Sequence, residues 1–318
     1  MIAFTICANN YIYKAQVLAD SILQTSAIPV YLVLADEEST LIDYMELNFA
    51  GVITPEELDI PNLQWMKENY DVVEFSTAIK SFAFTYFFKK NIAERIFFLD
   101  PDVKVYEALQ SLAVFWESAS ILLTPHILTP LPFDGKFPNE NLFLNHGIFN
   151  LGFLGLKKGT VSDALLKWWN VRMKEHCIIS LAYGFFVDQL WFNLVPSLFG
   201  EVAVIEQPGC NIAYWNLHER RLTFFENKYW VNEQPLFFYH FSGVDKTLTQ
   251  ICKTPHYRYR FNDEPILKKL YQDYLDHTNQ FEPDRFHNIS YFDEKYPIVQ
   301  PVPTLLERVI RKIKAHIG

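Results

Sequence analysis

The chain has 318 residues, of which 50% are hydrophobic, enough for one large core with an appendage or for two modest domains. Its formal charge of −9 argues against a nucleic-acid polymer as partner, because such partners select a basic face. A small anionic substrate stays open, since a bound cation can supply positive charge locally.

The N-terminus, Met1-Ile2-Ala3-Phe4-Thr5-Ile6-Cys7, has no basic leader and no small-residue cleavage site, so it reads as a first strand over 2–7 and not as a signal peptide. A polar loop, Ala8-Asn9-Asn10, leads into a helix over 11–24 with Ala15, Leu18, Ala19, Ile22 and Leu23 along one face. Residues 29–34 predict a second strand, 40–49 a helix, 77–90 a helix, and 95–99 a buried strand that runs into Asp100. Residues 105–116 predict a helix and 120–123 a strand. The stretch 124–144 holds four prolines and reads as a long functional or mobile loop. A strand over 148–156 follows. Gly159-Thr160 opens a helix with Thr160 as N-cap and Asp163 three residues on. A short helix over 186–194 and a strand over 236–241 complete the pattern. Strands alternating with helices predict an α/β domain over residues 1–250, with a mostly parallel central sheet flanked by helices.

Residues 251–318 carry more charge, tyrosine and proline and form a C-terminal extension. Its last segment, over 305–317, repeats Leu305, Leu306, Val309, Ile310 and Ile313 at helical spacing, with Arg308, Arg311, Lys312 and Lys314 between them. Such a helix either lies on an anionic membrane surface or docks on the main domain with its basic face in water. No apolar run reaches the ~18 residues that span a bilayer. Cys7, Cys177, Cys210 and Cys252 form no CxxC pair, which favours reduced thiols over a zinc site or a disulfide framework. Together these features predict a cytoplasmic protein, with peripheral contact at the inner face of the cell membrane if the last helix binds lipid.

Ligands of parallel α/β sheets bind at the carboxyl ends of the strands. Ala8-Asn9-Asn10 and Asp100-Pro101-Asp102 both fall there. Two carboxylates at one strand end repel unless a cation lies between them, and hard oxygen ligands suit Mg2+ or Mn2+; a turn with two solvated aspartates is the plainer alternative. His240 ends an apolar strand and is followed by Ser242-Gly243, and Gly243 lets the backbone approach a phosphate. A packed core histidine is its plainer alternative. Asp188-Gln189, at a helix start in an apolar setting, is suited to acid/base work or to sugar recognition; a helix-start aspartate favoured by the dipole is the plainer alternative. Asn211, Tyr214 and Trp215 belong to a dense amide and aromatic segment that offers hydrogen bonds and stacking faces to a sugar, with an ordinary amphipathic segment as the plainer alternative. Lys80, on the helix before the Asp100 strand, either meets a phosphate as a point charge or is solvated.

The ordered set Ala8-Asn9-Asn10-Tyr11, Phe98-Leu99-Asp100-Pro101-Asp102, Phe149-Asn150-Leu151-Gly152-Phe153, Asp188-Gln189-Leu190-Trp191 and Tyr239-His240-Phe241-Ser242-Gly243 resembles the GT-A-fold glycosyltransferases. Within them it resembles the glycogenin and lipopolysaccharide-galactosyltransferase group and relatives from bacterial polysaccharide loci. The resemblance covers roughly residues 1–245. It implies a GT-A, Rossmann-like sheet and a nucleoside-diphosphate sugar as donor. It also implies a glycan acceptor and a divalent metal, Mn2+ or Mg2+, held by Asp100, Asp102 and His240; a lipid-linked acceptor is the expectation that the helix over 305–317 adds. It further implies that Ala8, Asn9 and Asn10 lie against the nucleotide, that Lys80 faces the donor, that Asn150 and Gly152 line the donor-sugar pocket, and that Asp188 and Gln189 flank the anomeric carbon. The group's Lys-Pro-Trp after His-x-x-Gly is absent here; Val244-Asp245-Lys246-Thr247 follows, and Lys246 is its partial substitute. Two other readings stay open: a phosphatase of the haloacid dehalogenase type using the D-x-D, and a non-catalytic glycan-binding protein on a transferase-like fold.

Overall fold

The computed structural model describes residues 1–253 and 258–289. The basic segment expected over 305–317 lies outside the described residues. Seven strands lead the chain order: Ile2–Cys7 (β1), Val30–Leu34 (β2), Gly51–Ile53 (β3), Arg95–Leu99 (β4), Val103–Val105 (β5), Ile121–Pro125 (β6) and Phe149–Lys157 (β7). The central sheet has seven strands in the order β3, β2, β1, β4, β7, β6 and then Val202–Val204. β7 runs antiparallel to both its neighbours, and every other pairing is parallel. The expected α/β class with a mostly parallel sheet flanked by helices is what forms.

A sheet covered on both faces needs apolar residues at every strand position, and β1 is buried throughout. Alternate residues then serve opposite cores. Phe4, Ile96 and Phe98 face Phe84 and Phe87 of helix Lys80–Lys89 and Trp169 of helix Thr160–Met173. Ala3, Phe97 and Leu99 face Leu18, Ala19 and Ile22 of helix Ile12–Ser26 (α1), together with Trp116. Phe4 meets Phe84 edge-on at 4.8 Å between centroids, and Phe97 stacks on Trp116 at 4.6 Å, arrangements that add to the burial itself.

Beyond the main sheet, strand Phe238–His240 pairs antiparallel with β5, and the register sets His240 opposite Val103. Helix Pro265–Asn279 lays Leu267, Leu270, Tyr271 and Tyr274 against Tyr239 and Phe241, and Phe241 stacks on Tyr274 at 3.8 Å. The described part of the C-terminal extension thus shares a core with residues before 250.

Several local expectations differ from what forms. Residues 40–49 give a short 3-10 turn at Tyr44–Glu46 and no longer helix. There Asp43 accepts from the Met45 amide and the Tyr44 hydroxyl donates to Asn9 Oδ1, local bonds that compete with helix extension. The helix expected over 77–90 is two helices, Val72–Ala78 (starting at an Asp71–Glu74 capping box) and Lys80–Lys89. Residues 105–116 hold the end of β5 and a 3-10 helix, Leu109–Glu117. Thr160 is the first helical residue and not the cap; Gly159 occupies that place without a side-chain bond. Residues 186–194 divide between a hairpin, Ile179–Ser180 with Phe185–Phe186, and the short helix Gln189–Phe192. Among the described residues all four cysteines are free and buried, and no helix is long and apolar enough to cross a membrane.

Candidate metal centre and cleft

β1 and β4 are parallel neighbours, so the loop after Cys7 and the turn after Leu99 emerge side by side at one edge of the sheet. Between them and the strand Phe238–His240 opens a cleft of about 580 Å³. The chain turns at Pro101, and the turn brings both aspartates to His240. Asp102 Oδ1 lies 3.0 Å and Asp100 Oδ2 3.7 Å from His240 Nε2. One ligand atom from each of Asp100, Asp102 and His240 falls within 4.8 Å of the others.

The far side of the imidazole is fixed. His240 Nδ1 donates to Asn150 Oδ1 at 3.2 Å, which turns Nε2 toward the carboxylates. The same Asn150 oxygen accepts from Asn211 Nδ2 at 3.0 Å and from the Gly152 amide at 3.2 Å. A ligand histidine held through its other nitrogen is the arrangement metal sites use to set ring orientation. Two carboxylate oxygens and one imidazole nitrogen, open on the cleft side, fit Mn2+ or Mg2+ with further oxygens from a diphosphate.

Burial, with Asp102 and Asp188 nearby, pushes Asp100 up to about 6 against the pull of Lys80 and His240. Burial also opposes ionisation of Asp102, but the charge and hydrogen bond of His240, helped by Lys14, hold it down at about 2. Burial lowers His240 less than the two aspartates raise it, so its pKa ends above the ordinary histidine value.

Deeper in the cleft, Lys80 Nζ meets Asp188 Oδ2 at 2.9 Å and the Leu151 carbonyl at 3.2 Å, above the Phe98 ring. Burial raises the Asp188 carboxyl and Lys80 opposes the rise. Gln189 is occupied: its Oε1 accepts from the Leu151 amide at 3.2 Å and its Nε2 donates to the His146 carbonyl at 2.7 Å. Gly147, at φ +123°, allows that contact, since a Cβ there would stand 2.8 Å from Gln189 Cγ. Among the described residues the Trp215 indole N–H, in the cleft wall, is buried without a hydrogen-bond partner.

Of the residues expected at the site, Ala8, Asn10, Lys80, Asp100, Asp102, Asn150, Gly152, Asp188, Gln189, Tyr214, Trp215, His240 and Gly243 line this cleft. Asn9, Asn211 and Lys246 stand apart from its lining. Asn9 binds Asp36 and Tyr44, Asn211 braces Asn150 from behind, and Lys246 meets His287 Nε2 at 2.8 Å. Tyr11, His126 and His146 also line the cleft, and residue type alone does not single them out. His126 accepts from Asn150 through Nε2, and burial lowers it to about 3, which keeps it neutral.

No family model matches the chain. It is similar to two uncharacterized proteins of Bacillus subtilis strain 168. YfnF is 26% identical over 280 residues, covering 87% of this chain and 92% of YfnF. YfnD is 25% identical over 284 residues, covering 85% of this chain and 86% of YfnD. Among solved structures it is similar to the galactosyltransferase LgtC in complex with donor and acceptor sugar analogs, at 13% identity and a TM-score of 0.49, covering 93% of this chain and 100% of that one.

Proposed function

We propose that the protein is a metal-dependent glycosyltransferase of the GT-A type. It would move a sugar from a nucleoside-diphosphate sugar to a hydroxyl of a glycan or lipid-linked acceptor, in the synthesis of a bacterial surface polysaccharide. The observation that carries the reading is the Asp100, Asp102 and His240 cluster, with its histidine held by Asn150, at the strand ends of a parallel sheet and in one cleft with the buried Lys80–Asp188 pair. The lipid-linked form of the acceptor draws its support from the amphipathic pattern over 305–317.

Asp100 and Asp102 would hold the cation with His240. The cation, when bound, supplies positive charge to the diphosphate as it leaves. Ala8, Asn10 and Tyr11 form the wall against which the nucleoside would lie. Asp188, fixed by Lys80, presents a carboxylate on the cleft floor where positive charge develops on the sugar. Gln189 keeps the Gly147 turn and the start of β7 in register with that floor.

The test is release of nucleoside diphosphate from a panel of nucleotide sugars, with and without Mn2+. Wild-type protein is expected to release it from at least one donor, and only with the metal. Asp102→Ala is expected to lose at least roughly a hundredfold in that rate, since loss of a residue that merely orients a ligand already costs 10–100-fold. Turnover with no donor, or an unchanged rate for Asp102→Ala, would remove this reading.

A further inference from the structure

From Cys177 to Gly200 the sequence holds a single charged residue, Asp188, and that one is buried against Lys80. A chain that is 20% charged overall would place several charges in such a stretch if it met water as the rest of the surface does. Yet the stretch is not core. Ile179 and Leu181, in the hairpin over 179–186, are 45% and 44% exposed, and Leu194, after helix Gln189–Phe192, is 47% exposed.

Three contacts join this stretch to neighbours that also expose apolar side chains. The Ile179 amide donates to Glu74 Oε1 at 2.7 Å, on the helix that carries Val73. The Phe186 ring meets His146 edge-on at 4.5 Å, on the helix that carries Leu144. Asn193 Oδ1 accepts from the Ile148 amide at 2.8 Å. Val73, Leu144 and Ile148 are 54%, 69% and 49% exposed. Val73 and Phe186 also line the cleft, which places this surface at its mouth. Glu74, the one acid of helix Val72–Ala78, is taken up by two backbone amides, those of Ile179 and Asp71.

Apolar side chains gathered on a surface without free charge mark a site that meets something apolar. A protein partner seated there would close the mouth through which substrate must pass. A lipid surface leaves it open to an acceptor whose hydrocarbon lies in the bilayer. We infer that this surface, centred on the hairpin over 179–186, docks on a lipid bilayer by shallow insertion of its apolar side chains and so presents the cleft mouth to acceptors held there. The inference rests on the lipid-linked acceptor proposed above. It is distinct from contact through the basic pattern over 305–317: an uncharged surface binds neutral lipid whatever the salt, whereas a basic one needs anionic lipid and is screened.

The test is flotation of the full chain with vesicles of phosphatidylcholine, alone or mixed with phosphatidylglycerol, at low and at high salt. Wild-type protein is expected to float with phosphatidylcholine alone, equally at both salts. Leu144→Asp with Leu181→Asp is expected to bind at least roughly tenfold more weakly, since two aliphatic anchors are lost and two charges are drawn to the lipid. Phe225→Asp, at a residue 64% exposed and outside the cleft lining, is expected to float as wild type does. Both variants should keep the wild-type melting midpoint and the wild-type rate of nucleoside-diphosphate release in solution. Should the double variant melt early, Leu181→Asp alone takes its place. Undiminished flotation of that variant overturns the inference. So does binding that needs phosphatidylglycerol and is lost with salt, which assigns the contact to the basic pattern. Dimerisation abolished by the variant, with no flotation, assigns the surface to a second copy and overturns it too. Flotation without nucleoside-diphosphate release from any donor removes the transferase reading and upholds the lipid contact, and release without flotation does the reverse.

Discussion

Lys80 and Asp188 meet at 2.9 Å with side chains only 5% and 2% exposed, so each is the other's main source of solvation. Removing one partner strands a buried charge, which costs roughly 3–5 kcal/mol, whereas replacing both with apolar groups costs far less. Lys80→Met is therefore expected to lower unfolding stability by roughly that amount, and Lys80→Met with Asp188→Leu to recover most of it, as read by urea denaturation. Equal stability of the single and double variants would show that the two charges are not coupled. Gly152 poses the opposite case, a residue whose value is empty space. A Cβ there would stand 2.5 Å from His240 Cε1 and 2.7 Å from Nδ1, and the ring has little room to move because Asn150 holds it and Trp215 packs edge-on at 5.3 Å. Gly152→Ala is expected to keep the fold and to weaken Mn2+ binding by roughly 10–100-fold, the effect of disturbing a group that orients a ligand. Unchanged Mn2+ affinity would count against His240 as a ligand.

The elements that carry the site are readable in proportion to how far their signal is local. β1, β4 and β7 are near-continuous apolar runs, as strands buried on both faces must be, and the motifs follow directly from their ends. His240 comes to Asp102 only through pairing of two strands that lie far apart in sequence, which the ordered motifs hint at and the register accomplishes. The stretch 124–144 reads as a long functional or mobile loop because what fixes it comes from elsewhere. Glu219 accepts from the Leu128 amide at 2.9 Å and from the Thr129 hydroxyl at 2.7 Å. Arg258 donates to Asp134 and to the carbonyls of Pro132 and Pro138. Helix Glu140–His146, which follows, carries Phe143 and His146 to the cleft. Arg258→Ala is expected to leave global unfolding nearly unchanged and to speed proteolytic cleavage within 132–138 several-fold, because local opening free energy limits such cleavage. Cleavage at the wild-type rate would show that the prolines alone hold the segment.

At the scale of the whole molecule, helix Pro265–Asn279 decides whether the metal centre has a stable back wall. Tyr239 and Phe241 flank His240 in sequence, and both are buried against Tyr271 and Tyr274 of that helix, with Phe241 and Tyr274 parallel to within 5°. Tyr239 also shares a hydrogen bond with Tyr271 at 3.2 Å between hydroxyls, so removal of the helix exposes two aromatic rings and leaves a phenol without its partner. The residues that follow the sheet therefore act on the strand that carries the metal histidine, by burying the faces on either side of it. A chain ending at Asn262 is expected to lose the strand Phe238–His240 as an ordered element, and with it Mn2+ binding, while the central sheet keeps its far-ultraviolet circular dichroism. Deleting one large buried aromatic side chain costs on the order of 3–5 kcal/mol, comparable with a large share of a domain's total stability of about 5–15 kcal/mol, and the truncation removes two such rings from this wall. A truncated chain that melts with the wild-type midpoint and binds Mn2+ equally well would show that His240 is held by β5 and Asn150 alone.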